Sequence, residues 1–387
     1  MLLLSTVILW HHSLGWIVLS LIILKISKSE KLKVVATNVI VIFSMVLLLE
    51  ASFVVHNKLQ GGKDSKEEGG YLEPWQTVEK IGYQFHVPNS AVKIKRSYGD
   101  EVIYDVTYNF DQNGLRVTSN DNKARNNNDI LFFGCSFAFG EGLNDSDTFP
   151  FQLIEKTKNT YDGHNFAFHG YGAHQMLALL EDKKFVNKVV DKAKVKYVFY
   201  EMIPDHIKRV AGHHISMIWG ISSPRYEIQN DEAVYTGSFK DYYEKNPKSR
   251  TRKFLIKYVH DLGRSRSYFI NYLVGKAQLN SKLKGFKMSV DEKDSELLVK
   301  IVEKSSKIVE KDYGAKFYTI IWDDTDEQEV NYIKTRFDQI GVKYFLVSEI
   351  IKDIKDTKKY FMEHDGHPKG LTNEVVADFV FREALSK

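Results

Sequence analysis

The sequence predicts an α/β protein with a parallel sheet, preceded by a two-helix transmembrane hairpin and a small β extension. Two long apolar segments occupy residues 1–56 of the 387-residue chain, and β-prone runs around an Asn-Gly pair follow them. From residue 129 to residue 387, short apolar runs alternate with amphipathic stretches. Such alternation is typical of right-handed βαβ units, whose strands pair in parallel.

The N-terminal segments have the length and composition of membrane spans. Residues 2–24 contain no Asp, Glu, Lys or Arg, and residues 34–55 contain only Glu50. Because about 20 apolar residues cross a bilayer as a helix, we expect residues 1–56 to form a transmembrane hairpin. A cleaved signal peptide is the alternative for the first segment. That segment lacks a basic n-region, and no small-residue cleavage site precedes the second apolar run.

The loop between these segments predicts the orientation of the chain. Residues 25–33 (KISKSEKLK) carry four lysines and one acid. The positive-inside rule places this loop in the cytoplasm, so we expect a multi-pass protein of the inner (plasma) membrane. The remaining residues would then be extracytoplasmic, and periplasmic in a cell with two membranes. Cys135 is the single cysteine, which an oxidising compartment tolerates because no internal disulfide can form.

A glycine-rich charged stretch, residues 57–70, is typical of a flexible linker. Residues 71–128 are predicted to form the small β extension. In this segment the alternating run EVIYDVT (101–107) is followed by Asn113-Gly114 and then by LRVT, and Asn-Gly between two such runs favours a hairpin. The extension would pack on the following domain or contact its substrate.

The predicted domain, residues 129–387, contains an insertion at residues 207–288. Outside the insertion, strands are expected at residues 130–133, near 164–168, and at 195–203, 317–322 and 344–347. Helices are expected at residues 148–156, 172–184 and 297–309, from 323 to 339, and after Pro368. Ser289 to Glu292 has the pattern of a capping box for the third helix, and the acidic run 323–326 is typical of a cap for the fourth.

The insertion contains a basic, aromatic-rich run at residues 250–276. This run would either lie on an anionic membrane surface or a partner, or form ordinary helices over the rim of the domain. The net charge of only +4 and the extracytoplasmic location argue against nucleic acid as a partner. His206, His213 and His214 have no carboxylate or cysteine that would complete a recognisable metal site. We therefore predict neither a metal nor another cofactor.

One serine follows a buried strand in a sharp turn. The apolar run 130–133 ends at Gly134, Ser136 comes two residues later, and two further glycines follow in FAFGEGL. A strand that ends in a tight glycine turn exposes a hydroxyl at the edge of the sheet, close to the backbone N–H groups of the turn. Ser136 is therefore a candidate nucleophile, although an ordinary serine in a strand-to-loop turn would have the same local pattern.

The partner groups that a nucleophilic serine needs occur near the C terminus. Asp365 and His367 lie two residues apart in the sequence DGHP. A serine attacks a carbonyl at neutral pH only with the help of a base, and an imidazole oriented by a carboxylate is the usual one. A surface Asp and His in a loop would have the same spacing.

Together these blocks resemble the SGNH or GDSL hydrolase superfamily. Gly134-Cys135-Ser136 is similar to the family's Gly-Asp-Ser, residues 165–175 (NFAFHGYGAHQ) to its second block, and residues 365–368 to its terminal Asp/His block. The resemblance covers about residues 129 to 387 and implies a three-layer sandwich with a Ser136-His367-Asp365 triad. The Asp-x-His spacing resembles the branch that modifies exopolysaccharides and cell-wall glycans.

The resemblance also implies an oxyanion hole built from the N–H groups of Ser136 and Gly170. Two positions depart from the family pattern. Cys135 replaces the motif Asp, which is not the catalytic acid. The third block, which in the family carries an oxyanion-binding Asn, here leads into Pro204-Asp205-His206. Either His206 donates in place of the Asn, or the oxyanion hole is incomplete.

The activity that the resemblance implies is acyl transfer on an ester. The expected protein is a membrane-anchored serine esterase or O-acyltransferase that acts on acyl esters, in the first place acetyl, of a surface glycan. A lipid or peptidoglycan ester is a further substrate class, and a membrane-bound acyl-transfer protein is the expected partner. The alternative is a non-catalytic binding or assembly subunit of a polysaccharide modification or export system.

Overall fold

The computed structural model describes residues 2–59, 65–69, 78–83, 87–120, 128–158, 160–182, 184–212, 218–246, 290–323 and 328–386. The N-terminal helices form one compact unit, and the described residues from 65 onward form a second. Several predicted features lie outside the described residues: the basic run 250–276, His213, His214, Ser289 and residues 324–326 of the acidic run.

The N-terminal unit consists of two helices, α1 (Leu2–Ile26) and α2 (Glu30–Leu59). They pack against each other, and Trp16 stacks on Phe43 with ring centroids 6.3 Å apart. The segment Glu30–Ser52 is long and apolar enough to cross a membrane, and Ser13–Ile26 is a shorter apolar helix among the side chains described. The predicted two-helix hairpin is therefore present, and a membrane crossing by both helices stays a prediction.

The β extension is an antiparallel sheet with the order β1-β2-β3, made of β1 (Ser65–Glu68), β2 (Ala91–Tyr98) and β3 (Glu101–Asn109). Its first strand falls within the segment predicted as a flexible linker, and α2 also extends into that segment. The prediction of a linker over residues 57–70 is therefore wrong for these two parts, which form helix and strand. In β1, Glu67 lies opposite Arg96 of β2.

The Asn-Gly turn forms, but it does not join the strands that its sequence predicts. Gly114 adopts a left-handed φ of 74°, and its N–H donates to the carbonyl of Asp111 at 3.0 Å. The residues after the turn make an isolated bridge between Phe110 and Arg116, and Arg116 makes a second one with Asn165, whereas β3 pairs with β2 along its length. Among the described residues, no named strand directly follows the turn, and the Arg116 side chain is buried.

The second unit is built on a parallel sheet. Within the described residues it has five strands in the order β10-β9-β6-β4-β5, and every pairing is parallel. The strands are β4 (Asn128–Phe133), β5 (Tyr161–Asn165), β6 (Val195–Met202), β9 (Lys316–Ile321) and β10 (Tyr344–Leu346). A separate hairpin is formed by β7 (Pro224–Gln229) and β8 (Glu232–Ser238). Strand β5 begins three residues earlier than the sequence pattern predicts.

Helices connect these strands. They are α3 (Ser136–Phe139), α4 (Phe149–Lys156), α5 (Ala173–Asp182), α6 (Val186–Val189), α7 (Asp205–Val210), α8 (Ile218–Ile221), α9 (Phe239–Lys245), α10 (Glu292–Ile308), α11 (Gln328–Ile340), α12 (Val347–Ile350), α13 (Thr357–Tyr360) and α14 (Gly370–Val380). Helix α10 is capped by Asp291 with Asp294, so the predicted capping box was placed two residues too early. Asp323 does not cap α11, because its carboxylate accepts from the backbone and hydroxyl of Ser348.

The two faces of the sheet carry separate apolar cores. Leu131 and Phe133 of β4 pack in one core with side chains of α5, α7, α10 and α11. Ile130 and Phe132 pack in the other core with side chains of α4 and α14. Alternate side chains of a strand point to opposite faces, so a strand that is apolar throughout fits only a sheet covered on both sides. The predicted three-layer α/β sandwich with a parallel sheet is confirmed.

Candidate active site

The serine turn joins β4 directly to α3. Gly134 has a φ of 153°, and a Cβ at this position would lie 2.7 Å from the Cβ of Ala138 and 3.0 Å from the carbonyl oxygen of Glu201. Only glycine fits this close approach of two backbones. Ser136 is the first residue of α3, which ends after one turn at Gly140 in the left-handed region. The turn thus sets Ser136 at the carboxyl end of a central strand.

The structure brings the three predicted triad residues together. His367 Nε2 is in hydrogen-bond contact with Ser136 Oγ at 2.8 Å, although 231 positions separate the two residues, and the neutral ring with its proton on Nδ1 accepts from the hydroxyl. His367 Nδ1 donates to Asp365 Oδ1, which also accepts from the backbone N–H of His367 at 3.2 Å. The side chain of Asp365 is fully buried, and that of His367 is 15% exposed. This is the geometry that a base needs to take the proton of a serine.

The β extension contributes to the same site through its second strand. Arg96 Nη1 donates to Asp365 Oδ2 at 2.6 Å, the oxygen that His367 does not use. Beside it, the ring of Tyr98 stacks on His364, with centroids 4.0 Å apart. Strand β2 therefore contacts the loop that carries His367, and both oxygens of the Asp365 carboxylate have a partner.

A second carboxylate, that of Glu141, approaches the opposite side of the imidazole. Glu141 Oε2 accepts from His169 Nδ1 at 2.7 Å and lies 3.4 Å from His367 Nε2. Its side chain is 13% exposed. The nitrogen of His367 that faces the Ser136 hydroxyl therefore also faces a negative charge.

These charges shift the titration of the site. Burial alone would raise the pKa of Glu141, but His169 and His367 lower it to about 2, so the group is a carboxylate at neutral pH. Burial alone would lower the pKa of His367, whereas Glu141 and Asp365 raise it above its ordinary value, and Arg96 opposes that rise. Carboxylates on both sides thus favour the protonated imidazole.

Gly170 lies in the turn that follows β5, at a left-handed φ of 72°. The preceding segment runs beside the serine turn, because Phe166 donates to the carbonyl of Phe132 at 2.8 Å and Phe168 to that of Gly134 at 3.4 Å. Within the described residues, the backbone N–H groups of Ser136 and Gly170 donate to no protein acceptor. Their predicted role in an oxyanion hole stays a prediction that this placement allows.

His206 does not fit the role that the sequence suggested. It lies on α7 and is fully buried, with its Nδ1 2.6 Å from the hydroxyl of Tyr200. Its Nε2 has no accessible surface, so no substrate oxygen can reach it. The assignment of His206 to the oxyanion hole is therefore corrected. Helix α7, which follows β6, places the His206 side chain in the core.

Buried polar contacts hold the serine turn in place. The guanidinium of Arg116 is fully buried and pairs with Asp145 at 3.0 Å. It also donates to the carbonyls of Phe139, Gly140 and Leu143. Five donors in a fixed planar fork suit such a site better than any other side chain. Arg116 therefore fixes the loop that follows Ser136.

Two further buried groups lie next to Ser136. Cys135, directly before Ser136, is fully buried, and burial raises the pKa of its thiol. The carboxyl of Glu201, on the neighbouring strand β6, is also fully buried, and its Oε2 accepts from the indole N–H of Trp322 at 2.9 Å. Burial raises the pKa of Glu201 to about 8, although the indole lowers it somewhat.

One group of side chains could approach a metal ion. Among the described residues, ligand atoms of Glu141, Asp365 and His367 all lie within 4.8 Å of one another. An ion bound there would take a ring nitrogen of His367 that is already bonded to Ser136 or Asp365. The same side chains therefore already bond to one another and to Ser136, and the absence of a metal stays a prediction.

Sequence reasoning missed Arg96, Glu141 and Arg116. Glu141 lies within FAFGEGL, a motif noted only for its glycines, and an acid between two glycines near a nucleophile was an available signal. Arg96 and Arg116 gave no local signal, because both act on residues far away in the sequence. Arg96 contacts a carboxylate 269 positions away.

No protein-family model matches the chain, and no curated protein matches it. Solved structures similar to it include a member of the lipolytic protein G-D-S-L family from Veillonella parvula, with 10% identity and a TM-score of 0.35 over 67% of this chain and 99% of that one. An acetyl-xylooligosaccharide esterase from Geobacillus has 10% identity and a TM-score of 0.35, over 67% of this chain and 95% of that one. An alpha/beta hydrolase enzyme from the metagenome of Lake Arreo has 10% identity and a TM-score of 0.33, over 66% of this chain and 94% of that one.

Proposed function

We propose that the chain is a membrane-anchored serine esterase or O-acyltransferase of the SGNH type, acting on acyl esters of a surface glycan outside the cytoplasm. The observation that carries the proposal is the continuous hydrogen-bonded set Ser136-His367-Asp365, with 2.8 Å between the Ser136 hydroxyl and His367 Nε2. An imidazole in contact with both a hydroxyl and a buried carboxylate has the proton affinity and the orientation that acyl transfer needs.

The chemistry of such a set follows from its contacts. Ser136 Oγ attacks the ester carbonyl carbon while His367 Nε2 takes its proton, and the carbonyl oxygen becomes an oxyanion beside the N–H groups of Ser136 and Gly170. His367 then gives the proton to the leaving alcohol, which leaves an acyl group on Ser136. Asp365 holds the ring in the tautomer that presents Nε2 to the hydroxyl.

The second half of the reaction separates the two enzyme classes. If water attacks the acyl group on Ser136, the protein is an esterase, and if a sugar hydroxyl attacks it, the protein is an O-acyltransferase. Acetyl is the acyl group that we propose first, because the Asp365-x-His367 spacing resembles the branch that modifies exopolysaccharides and cell-wall glycans. The apolar segment Glu30–Ser52 supports a membrane anchor by its length and composition.

A binding or assembly subunit is the second candidate function. The observation that favours it is the third sequence block, where Pro204 and Asp205 stand in place of an oxyanion-binding Asn and His206 is buried. Loss of one oxyanion donor lowers turnover by about a hundred- to a thousand-fold. With so low a turnover, the function of the chain would be to bind acylated glycan and not to hydrolyse its esters.

Hydrolysis of p-nitrophenyl acetate by the full chain in detergent micelles tests the proposal. The wild type should release p-nitrophenol and Ser136→Ala should not, while Ser146→Ala, at an exposed serine on the same segment, should retain the wild-type rate. A fluorophosphonate probe should label the wild type and Ser146→Ala only. Equal rates and equal labelling for all three chains would contradict catalysis and favour the binding role.

Mass spectrometry of the intact chain then distinguishes esterase from transferase. An acetyl adduct on Ser136 should form with the ester. Its decay should be much faster with an unacylated glycan than in buffer if the protein is a transferase, and equally fast in both if it is an esterase.

A further inference from the structure

The imidazole of His367 lies between two charged groups that the triad does not include. On the Nδ1 side, Arg96 Nη1 is 2.6 Å from Asp365 Oδ2, so the guanidinium and the ring share one carboxylate. On the Nε2 side, the carboxylate of Glu141 is 3.4 Å from the ring nitrogen. Arg96 comes from the β extension, and Glu141 comes from the loop that follows α3.

We propose that Arg96 and Glu141 are positioning residues of this site. Arg96 fixes the carboxylate of Asp365 at one end of the set, and Glu141 stabilises the proton that His367 receives from Ser136 at the other. The inference deepens the proposed function and rests on it for its catalytic meaning.

The contribution of Arg96 follows from the burial of its partner. The side chain of Asp365 has no exposed surface, and an ionised carboxylate without a partner is costly to bury. Arg96 supplies the opposite charge and leaves Oδ1 free for His367. The positive charge of the guanidinium also opposes protonation of the ring.

The contribution of Glu141 appears when the serine proton moves. As Ser136 Oγ bonds to the carbonyl carbon, the carbonyl electron pair moves to oxygen and the hydroxyl proton moves to His367 Nε2. The new positive charge then lies 3.4 Å from a carboxylate. Because the pKa of Glu141 is about 2, the carboxylate does not keep the proton, which stays on His367 until the leaving oxygen takes it.

Within the described residues, six charged or titratable groups either act on the His367 ring directly or act on Glu141, Arg96 and Asp365, which do. They are Glu67 of β1, Arg96 of β2, Tyr104 of β3, Glu141 after α3, His169 after β5 and Asp365 of the loop itself. Of these, Glu141 and Arg96 act on His367 in opposite directions, and neither is its hydrogen-bond partner in the triad. A titration of His367 in variants of these two residues therefore tests the inference.

The measurement is the pH dependence of carbethoxylation of His367 by diethyl pyrocarbonate, which reacts with the neutral imidazole. It is followed by mass spectrometry on the full chain in detergent micelles, with Ser136→Ala as the parent. Glu141→Gln should lower the midpoint by about one pH unit, and Arg96→Met should raise it by about the same amount. The double variant should return close to the parent value.

Matched controls lie nearby. Lys93→Met removes a charge from the same strand as Arg96, at an exposed pair with Asp105, and Glu155→Gln removes an exposed acid on α4. Neither should move the midpoint. Arg96→Lys, which keeps the charge, should stay near the parent value.

An unchanged midpoint in Glu141→Gln, or a shift of both single variants in the same direction, would overturn the proposal, since a loosened loop lowers the midpoint in every case. If Arg96→Met does not fold, the midpoint of carbethoxylation in Glu141→Gln decides for or against the proposal. No ester is turned over in this titration, so a failure of the proposed esterase function leaves its result intact. Ester turnover by the wild type with unmoved midpoints would defeat only the positioning roles.

Discussion

Trp322 and Glu201 form a hydrogen bond beneath the serine turn, in which the indole N–H donates to Oε2 at 2.9 Å. The other carboxyl oxygen, Oε1, has no partner among the described residues and no accessible surface. A carboxylate in such a place would be costly, and the neutral acid is the form that this site accepts.

The stability of the protein should therefore fall with rising pH because of Glu201. Its pKa is raised from an unfolded value near 4.5 to about 8. Between these two pH values Glu201 holds a proton in the folded chain and loses it in the unfolded chain. The contribution of Glu201 to the free energy of unfolding is therefore complete below pH 4.5 and is lost as the pH rises through 8. Glu201→Gln should remove this dependence. Thermal midpoints of both chains in detergent at pH 5 and pH 8 check it, and Glu155→Gln should keep the wild-type slope.

Asp365→Asn should lower ester turnover by about three to four orders of magnitude, because the amide no longer holds His367 in the productive tautomer. In the wild type, turnover should rise with pH, since His367 must be neutral to act as a base and its pKa is raised. The pH profile of kcat/KM on p-nitrophenyl acetate gives both results. An Asp365→Asn chain with the wild-type rate would remove Asp365 from the triad.

Arg116→Met should lower the free energy of unfolding by about 3 to 5 kcal/mol, because it leaves Asp145 as an unpaired buried charge. It should also slow labelling of Ser136 by a fluorophosphonate, since the loop after α3 loses its support. Arg382→Met, at an exposed arginine of the C-terminal segment, is the matched control and should change neither quantity. Denaturant unfolding in detergent measures the stability, and equal values for the two variants would contradict this role.

Gly134→Ala should destabilise the protein far more than Gly314→Ala. Both glycines have positive φ, and at Gly314 a Cβ meets nothing within 4 Å, so only the backbone strain of about 1 to 2 kcal/mol is expected there. At Gly134 the added carbon would also collide with Ala138 and the backbone of Glu201. Comparison of the two thermal midpoints, and of probe labelling at Ser136, checks the difference.

The strands, and the meeting of Ser136, His367 and Asp365, could be predicted because the sequence signals for them are local. The apolar run at residues 130–133 fits only a strand covered on both faces, and the residues around Ser136 and His367 occur in short blocks of known spacing. The first and last residues of the strands were predicted less accurately. Strand β5 begins at Tyr161 although its first residues, YDGH, are polar and only half-buried, so periodicity gave no indication of them.

Contacts between distant residues that lie outside any recognisable motif could not be predicted. Arg96 is one basic residue in an alternating strand, and nothing in its surroundings indicates a buried carboxylate near the other end of the sequence. His206 was assigned wrongly for a related reason. The position after β6 was correct, but whether its side chain faces substrate or core depends on the packing of α7, where His206, Ile207 and Val210 are all buried.

The placement of Cys135 gives the turn that carries Ser136 a built-in reporter. The only sulfur nucleophile of the chain is covered completely and lies one position before the reactive hydroxyl. An alkylating reagent such as a maleimide can reach it only when the fold around the serine turn opens. The rate of its alkylation therefore measures how often the strand-to-helix elbow opens, without any engineered label and independently of turnover.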